Sequence, residues 1–421
     1  MCRYNRESCY IGTSFSSNDY LCSMSHSYPI ITLKAGKEKT VLQKHPWVFS
    51  GAIAKEPSNL QEGDIVGLHS SSGHYLATGH FHKGTILVRC FDYSNRTIDA
   101  SVWEEKISSA INYRKALKLI DSNSTNAFRL IHAEGDGFPG LVVDVYGNTA
   151  IVQCYTKGMY LARHDIAEAI KKCFPSKITA IYDKSAETMA KQGAVAGTDG
   201  FLWKNENHVN DEFVVENGIK FSIDFINGQK TGFFIDQRDN RTLVKHYSKG
   251  RSVLNTFCYT GGFSLYAIEG GATKVHSVDS SKKAIEGVER NMLLNFPDAN
   301  HESFAEDVMT FFRKTEENYD LIILDPPAYA KHLSQVKNAM VGYRNLNTEG
   351  LKRIKPGGIL FTFSCSQAVD KELFRKVIFQ AAVQAGRNVR IMHQVTQPAD
   401  HPVSIYHPEA EYLKGLVLFV E

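Results

Sequence analysis

No apolar run in this 421-residue sequence reaches the roughly 18 residues that a membrane span needs, and the first 27 residues lack a secretory signal's apolar block. The eight cysteines include no CxxC pair, and the cysteines and histidines do not follow the sequence spacing of zinc ligands. Neither a disulfide scaffold nor a bound metal is therefore predicted. The formal charge of +3 is small, so nucleic-acid binding would have to depend on local patches. We therefore expect a cytoplasmic protein with no membrane segment and no metal.

The residue pattern divides the chain into five segments, and the length allows about two or three hydrophobic cores. Residues 1–27 are aperiodic and rich in Ser, Asn and Tyr, which indicates a disordered tail or a translation start at Met24. Short β runs broken by Gly, Ser and Asn predict a small β barrel over 28–99. Helical spacing of apolar residues predicts a linker helix within 100–124, and alternating strand and helix signals predict an α+β middle module over 125–225.

The C-terminal domain, residues 226–421, shows the alternation of strands and helices that is typical of a doubly wound parallel sheet. Besides a third strand ending near Asp307, its predicted strands are 253–257, 275–279, 321–325, 359–363, 389–395 and 415–421. One helix is predicted in detail, with Asp370 capping its start, an apolar face, and Gly386 ending it. The expected fold class is therefore α/β, with a Rossmann-like seven-stranded sheet after the barrel and the middle module.

A glycine turn and two acids form a candidate cofactor site. Phe257 ends the first strand of the domain, and Gly261 and Gly262 in the following turn let the backbone approach a bound nucleotide. Asp279 ends the next strand, where its carboxylate can accept hydrogen bonds from both ribose hydroxyls, and Asp307 could accept from the amine of adenine. The turn lacks the G-x-G-x-x-G of dinucleotide sites. Acids at successive strand ends suit S-adenosylmethionine, whose tail is a cationic sulfonium without phosphates.

The fourth and fifth strands end in a proline-containing loop and in Cys365. Pro326 and Pro327 hold the loop extended after Asp325, so that its carbonyls and Tyr329 can face a flat base. Adjacent strand ends should place Cys365 and Asp325 in one cleft. A thiolate that adds to carbon 6 of a pyrimidine activates carbon 5, and a carboxylic acid that protonates N3 assists. The pair predicts carbon 5 methylation, with burial raising the pKa of Asp325 and the sulfonium lowering the pKa of the thiol.

Motifs spread over nearly the whole chain after the tail carry a family resemblance. They are HPWVF at 45–49, AEGDGFPGL at 133–141, QKTGFFIDQR at 229–238, DPPAYAK at 325–331, FSCS at 363–366 and YLKGL at 412–416. In this order they resemble the RlmI-like large-subunit (23S) rRNA cytosine-C5 methyltransferase family. The resemblance implies a PUA-type barrel, a class I methyltransferase sheet and ribosomal RNA as partner. It also implies that Cys365 is the nucleophile, that Asp279, Asp307 and Asp325 line the pocket, and that residues 233–238, which include Gln237, cover the cofactor.

Two other functions remain compatible with parts of the pattern. A guanine-N2 rRNA methyltransferase shares the sheet and the Asp-Pro-Pro-aromatic loop but attacks through an amine, so Cys365 discriminates against it. A non-catalytic PUA-type RNA-binding protein would not need the acids at the strand ends. Ala328 stands where the two-cysteine RNA cytosine methyltransferases carry their second cysteine, so release of the product must proceed differently.

The barrel offers candidate RNA contacts, although each of its basic residues could equally be a solvated surface charge. Lys44 and Arg89 could bind phosphates, and Trp47 could stack on a base. The sequence does not identify the modified nucleotide or the base that removes the carbon 5 proton. It also leaves open whether naked rRNA or an assembling subunit is the substrate, and whether the protein is a monomer or a homodimer.

Overall fold

The computed structural model describes residues 28–175, 177–193, 197–330 and 332–421, so the tail predicted for 1–27 lies outside the described residues. The described chain contains sheets of six, five, two and seven strands, in that order along the sequence. None of the helices in these ranges is long and apolar enough to cross a membrane.

The N-terminal sheet curls into the predicted barrel. Its elements are β1 (Ile30–Leu33), α1 (Lys39–Leu42), β2 (Trp47–Phe49), β3 (Ile53–Lys55), β4 (Ile65–His69), β5 (Tyr75–Phe81) and β6 (Ile86–Asp92). The strand order is β2-β6-β5-β4-β1-β3, so β2 and β3 are the two edges. Only the three residues of the turn Ser50–Ala52 separate these edges in the sequence, so the sheet must curl until they are close. Buried Ile31, Val66 and Val88 fill the interior.

The middle of the chain forms a five-stranded sheet that is preceded by one helix and interrupted by two others in sequence. Its elements are α2 (Ala100–Ala116), β7 (Ala127–His132), β8 (Leu141–Tyr146), β9 (Thr149–Cys154), α3 (Lys157–Cys173), β10 (Ala180–Asp183), α4 (Ala186–Lys191) and β11 (Gly200–Lys204). A separate hairpin follows, β12 (Val214–Glu216) and β13 (Ile219–Phe221). Helix α2 begins at Asp99, which accepts a hydrogen bond from the backbone of Ser101. It ends before the predicted limit at 124, and Lys118 and Asp121 after it have left-handed backbone, which a helix cannot continue through.

The C-terminal sheet has seven strands in the order β16-β15-β14-β17-β18-β20-β19. The elements are α5 (Arg238–Tyr247), β14 (Ser252–Thr256), α6 (Gly262–Glu269), β15 (Lys274–Asp279), α7 (Lys282–Asn295), β16 (His301–Ala305), α8 (Val308–Lys314), β17 (Tyr319–Leu324), α9 (Val336–Arg353), β18 (Ile354–Ser364), α10 (Lys371–Ala385), β19 (Val389–Val395) and β20 (Lys414–Val420). The first five strands of this sheet are parallel, and their order reverses between β14 and β17. A crevice forms at such a reversal, beyond the carboxyl ends of the strands.

The predicted seven-stranded sheet is parallel except at its last strand. Strand β20 runs antiparallel to both of its neighbours, β18 and β19. The segment between β19 and β20 contains only the short turn Pro408–Ala410 and no α-helix. A parallel connection needs a crossover, usually a helix, whereas an antiparallel pair can be joined by a loop, so the connection explains the direction.

Helix α10 agrees with its sequence prediction in detail. The Asp370 side chain accepts a hydrogen bond from the backbone of Leu373 at 2.7 Å, as an N-cap residue does. Gly386 follows the helix with a φ of 66°, a left-handed conformation that favours glycine. The predicted apolar face is buried at Phe374 and Val377.

Candidate active site

A cavity of about 270 Å³ opens at the carboxyl ends of the central strands of the C-terminal sheet. Its wall includes Phe257 after β14, Asp279 at the end of β15, Asp325 after β17 and Cys365 after β18. Segment 229–237, which precedes α5, closes the opposite side. The topology therefore brings together the cofactor turn, the two acids Asp279 and Asp325, and the thiol of Cys365, which follow or end four different strands.

The turn between β14 and α6 is held in place by Asp279. Phe257, Tyr259 and Gly261 all have positive φ, at 52°, 48° and 84°, so the chain winds tightly before the helix begins. One carboxylate oxygen of Asp279 accepts from the backbone N–H of Tyr259 at 3.0 Å, and the other accepts from Ser281 at 2.9 Å. A carboxylate oxygen has more than one lone pair, so both oxygens can still accept from a ligand.

This side of the cavity fits an adenosine-containing cofactor. Asp279 offers acceptors for paired hydroxyls, while the rings of Phe257 and Phe263 provide apolar walls beside it. Gly262 also lines the cavity, at the start of α6, whereas Gly261 caps that helix from outside the wall.

Asp307 does not line this cavity. It is exposed and lies two residues beyond the end of β16, where its side chain accepts a hydrogen bond from the backbone of Thr310 at 2.9 Å and caps α8. Helix capping accounts for an acid at this position. Its predicted contact with adenine therefore stays a prediction.

Asp325 is held by Gln237 of the segment that closes the cavity, and Asn240 of α5 orients the Gln237 amide. The Nδ2 of Asn240 donates to Oε1 of Gln237 at 2.6 Å, which turns the Gln237 Nε2 toward Asp325. That Nε2 donates to Oδ2 of Asp325 at 3.0 Å. Burial, with the negative charge of Asp236 nearby, raises the pKa of Asp325 to about 7, so the carboxyl can hold a proton near neutral pH. This shift has the predicted direction.

The thiol of Cys365 has a pKa raised to about 11, chiefly by burial and then by the negative charge of Asp325. The positive charge of Lys230 acts in the opposite direction but is smaller in effect. The protein groups around the thiol therefore favour its protonated form. The sequence predicts a low pKa for this thiol on account of the positive charge of the sulfonium. Burial and the negative charge of Asp325 act against that effect.

A buried hydroxyl network fixes the two loops that carry Asp325 and Cys365. The Ser366 hydroxyl accepts from the backbone N–H of Ala330 at 3.1 Å and lies 2.9 Å from the hydroxyl of Tyr343. Ser364 donates to the same tyrosine at 2.9 Å. Sequence reasoning missed Tyr343, which lies in the middle of α9 outside any recognisable motif. Six other residues of α9 are buried as well, so the pattern of the helix does not single it out.

The proline loop contributes to the cavity only in part. Pro326 and Pro327 line it, and Pro327 is exposed at its edge. Tyr329 instead packs against Tyr343, with ring centroids 4.6 Å apart, and does not line the cavity. Its ring therefore supports the loop from behind in this structure.

The predicted RNA contacts of the barrel lie where the barrel meets the rest of the chain. Trp47 Nε1 and Arg89 Nη1 both donate to Oε1 of Glu134 in the middle module, each at 2.8 Å. Lys44 lies over the ring of Tyr406 in the C-terminal domain, 6.0 Å from its centroid. These residues join the modules, and their contacts with RNA remain predictions.

Known proteins resemble the chain over nearly its whole length. A family model of S-adenosylmethionine-dependent methyltransferases matches residues 191–416, and a PUA-like domain model matches residues 31–93. The ribosomal RNA large subunit methyltransferase I of Tolumonas auensis is 37% identical over 396 residues, 92% of this chain and 98% of that protein. The protein with the same description from Shewanella denitrificans is 38% identical over 394 residues, with the same coverage.

Solved structures share the fold. A SAM-dependent methyltransferase from Streptococcus mutans matches with a TM-score of 0.78 and 23% identity, over 93% of this chain and 99% of that one. A methyltransferase solved in complex with SAH matches with the same values. The barrel, the middle module and the seven-stranded sheet therefore occur together in proteins of known structure.

Proposed function

The chain belongs to the ribosomal RNA large subunit methyltransferase I family and depends on S-adenosylmethionine, and we propose that it methylates carbon 5 of a cytosine in large-subunit rRNA through a covalent Cys365 adduct. One observation carries the proposal: Cys365 and Asp325 share the wall of the cavity that also contains Asp279. Methylation of an exocyclic amine needs a hydrogen-bond acceptor that holds the amine of the base, but it needs no thiol. A half-buried thiol beside an acid that can hold a proton is what carbon 5 chemistry requires.

The cofactor would be held by the residues at the ends of β14 and β15. Asp279 would accept from the ribose hydroxyls, Phe257 would cover one face of the adenine, and Gly262 would allow close approach at the start of α6. Bound S-adenosylmethionine supplies the methyl group and a positive charge. Gln237 and the segment around it would close the cavity over the cofactor and exclude water.

The chain's own residues provide the proton transfers that precede methylation. Cys365 must lose its proton before its sulfur can bond to carbon 6, and the neighbouring Asp325, with a pKa of about 7, can accept that proton. As the sulfur–carbon 6 bond forms, the electron pair of the carbon 5–carbon 6 double bond moves to carbon 4–carbon 5, and the pair of the carbon 4–N3 double bond takes the proton from Asp325. Carbon 5 thereby becomes the nucleophilic end of an enamine. Gln237 keeps the carboxyl aligned by donating to Oδ2. After methylation a base removes the carbon 5 proton, the carbon 5–carbon 6 double bond re-forms as the sulfur leaves, and N3 returns its proton to Asp325.

The target cytosine must leave its stack to expose carbon 6 to the thiol, so an unpaired or loop nucleotide is expected. Pro326 and Pro327 at the mouth of the cavity would contact the flat base. The PUA-like barrel would hold the RNA beside the cavity, with Lys44 and Arg89 near phosphates. Both residues lie on the side of the barrel that faces the other modules.

The proposal is tested by identifying the methylated base and the residue that is required. Wild-type protein and S-adenosylmethionine should convert a cytosine of large-subunit rRNA to its 5-methyl form, as nucleoside mass spectrometry can show. Cys365→Ala should abolish methylation and keep nearly the same affinity for the cofactor, because the sulfur acts only on the base. Cys173→Ala, which removes another half-buried thiol far from the cavity, is the matched control. Methylation of a guanine amine, or substantial activity of Cys365→Ala, would exclude the proposal.

A further inference from the structure

Three potential metal ligands meet where the barrel contacts the C-terminal domain, outside the cavity of the active site. His45 precedes β2, while His407 and Glu409 lie in the loop before β20. The Nε2 atoms of His45 and His407 are 3.5 and 3.8 Å from the two carboxylate oxygens of Glu409. One ligand atom from each residue lies within 4.8 Å of the other two. A tetrahedral zinc ion with bonds of about 2.1 Å places its ligands about 3.4 Å apart, so small movements would complete the site.

His407 has no other role for its ring nitrogens. The residue is 1% exposed, and neither ring nitrogen has a hydrogen-bond partner within the ranges that the structure describes. Buried polar groups are almost always bonded, so an imidazole with both nitrogens unsatisfied indicates a missing ligand. The ring is fixed by edge-on packing against Trp47, with centroids 4.3 Å apart.

The surroundings of the cluster suit a cation. Nδ1 of His45 lies 3.2 Å from the carbonyl of Trp47, and in the tautomer that donates to this carbonyl the Nε2 is free to bind a metal. In the other tautomer Nδ1 accepts from the Trp47 N–H at 3.1 Å. The nearby positive charge of Arg89 is paired with Glu134. Glu409 has a half-exposed side chain, so water can reach a fourth position.

We propose that His45, His407 and Glu409 bind a divalent transition-metal ion, Zn²⁺ foremost, that ties the barrel to the last loop of the methyltransferase domain. Two imidazoles and one carboxylate suit zinc, whereas Mg²⁺ prefers an all-oxygen site. The sequence predicts no metal because the ligands lie far apart along the chain and follow no spacing rule. Only the packing of the barrel against the loop at 404–413 brings them together.

The test is a titration of the chelator-treated full chain with Zn²⁺ by calorimetry and with Co²⁺ by absorption spectroscopy. We expect one site per chain that Mg²⁺ does not compete for, with tetrahedral Co²⁺ bands. Glu409→Gln and His407→Gln should each weaken binding at least about tenfold, because a three-ligand site loses one donor. The exposed residues give the matched controls Glu56→Gln and His164→Gln, which should bind like wild type.

Zinc should also raise the melting temperature of the wild-type protein and not that of Glu409→Gln, because only the intact site binds the ion in the folded state. Glu409 is half exposed, so this variant is expected to fold even if His407→Gln does not. Equal zinc affinity in Glu409→Gln and wild type would overturn the proposal. The absence of zinc binding by the wild-type chain would overturn it as well.

Discussion

Asp325 and Cys365 both have pKa values well above those of exposed groups, mainly because both are buried. The negative charge of Asp236 further raises the pKa of Asp325, and the negative charge of Asp325 further raises the pKa of Cys365. The two groups therefore share protons. When the pair holds one proton, that proton can lie on either group. The reactive arrangement is a thiolate beside a carboxylic acid, and the alternative is a thiol beside a carboxylate. Below pH 7 the pair holds two protons, and near pH 7 it loses the first.

This sharing predicts the pH dependence of the reaction. The one-proton state becomes populated as pH rises through about 7, so kcat/KM for RNA should increase toward that value and then level off. Asp325→Asn should be much slower at every pH and should lose the inflection near 7, whereas Asp298→Asn, an exposed control, should keep it. A kcat/KM that falls as pH rises through 7 would contradict the shared proton.

The residues of the site differ in how far the sequence reveals them. Asp279, Asp325 and Cys365 can be predicted because strand ends in a parallel sheet meet at one edge, and each residue ends or follows a strand. Gln237 could be assigned only by resemblance, since its contact with Asp325 depends on how a preceding segment folds over the sheet. The raised pKa of Cys365 could not be predicted, because it depends on burial and on the charges of three other side chains.

At the scale of elements, the proposed roles of Asp325 and Cys365 require a fixed separation between the loop after β17 and the loop after β18. Ser366 connects these loops through Ala330, and Tyr343 of α9 connects both to the helix layer. Lys414 at the start of β20 also donates to the carbonyl of Ser366, at 2.6 Å. The loops are thus tied to each other and to two neighbouring elements, α9 and β20, before any ligand binds.

Ser366→Ala should therefore reduce both stability and turnover. It leaves the buried Ala330 N–H and the Tyr343 hydroxyl with one partner fewer, which should cost about 1–3 kcal/mol of unfolding free energy. We expect kcat to fall and the affinity for the cofactor to stay the same, because Asp279 lies on another loop. Denaturant unfolding and steady-state kinetics measure both, with the exposed Ser71→Ala as control. Wild-type stability and kcat in Ser366→Ala would show that the network does not position the loops.

The elements of the C-terminal sheet were largely predictable, but the direction of its last strand was not. The regular alternation of apolar strands with helices predicts the parallel part of the C-terminal sheet, and local capping signals predict both ends of α10. The antiparallel direction of β20 depends on pairing with β18 and β19, which no local pattern encodes. The hairpin of β12 and β13 is too short for a periodic signal and was missed for that reason.

At the scale of the whole molecule, a buried carboxylate joins the middle module to the C-terminal domain. Asp400 accepts from the backbone of Arg129 and from Nη2 of Arg238, each at 2.9 Å. The carbonyl of Asp400 accepts from the fully buried Arg114 at 2.8 Å. Burial alone would raise the pKa of Asp400, but Arg238 and then His401 hold it well below the ordinary value.

Asp400→Asn should destabilise the protein by about 3–5 kcal/mol at neutral pH, since it leaves the buried guanidinium of Arg238 with fewer counter-charges. Because the pKa of the native carboxyl is lowered, its stabilisation is present above the ordinary value of 3.8 and is lost as pH falls below it. The variant and wild type should therefore converge in stability in acid. Denaturant unfolding across this range measures the difference, with the exposed Asp298→Asn as control. A constant difference at all pH values would contradict the ionic origin.

The most direct test of the proposed chemistry is covalent trapping of the enzyme on RNA that contains 5-fluorocytosine. Fluorine at carbon 5 cannot be removed as a proton, so a sulfur–carbon 6 bond that forms before methylation cannot be broken afterwards. With S-adenosylmethionine present, wild type and Cys173→Ala should form a protein–RNA adduct that survives denaturing electrophoresis, and Cys365→Ala should form none. An adduct in Cys365→Ala, or no adduct in a wild-type enzyme that methylates the unmodified RNA, would contradict the assignment of Cys365 as the nucleophile.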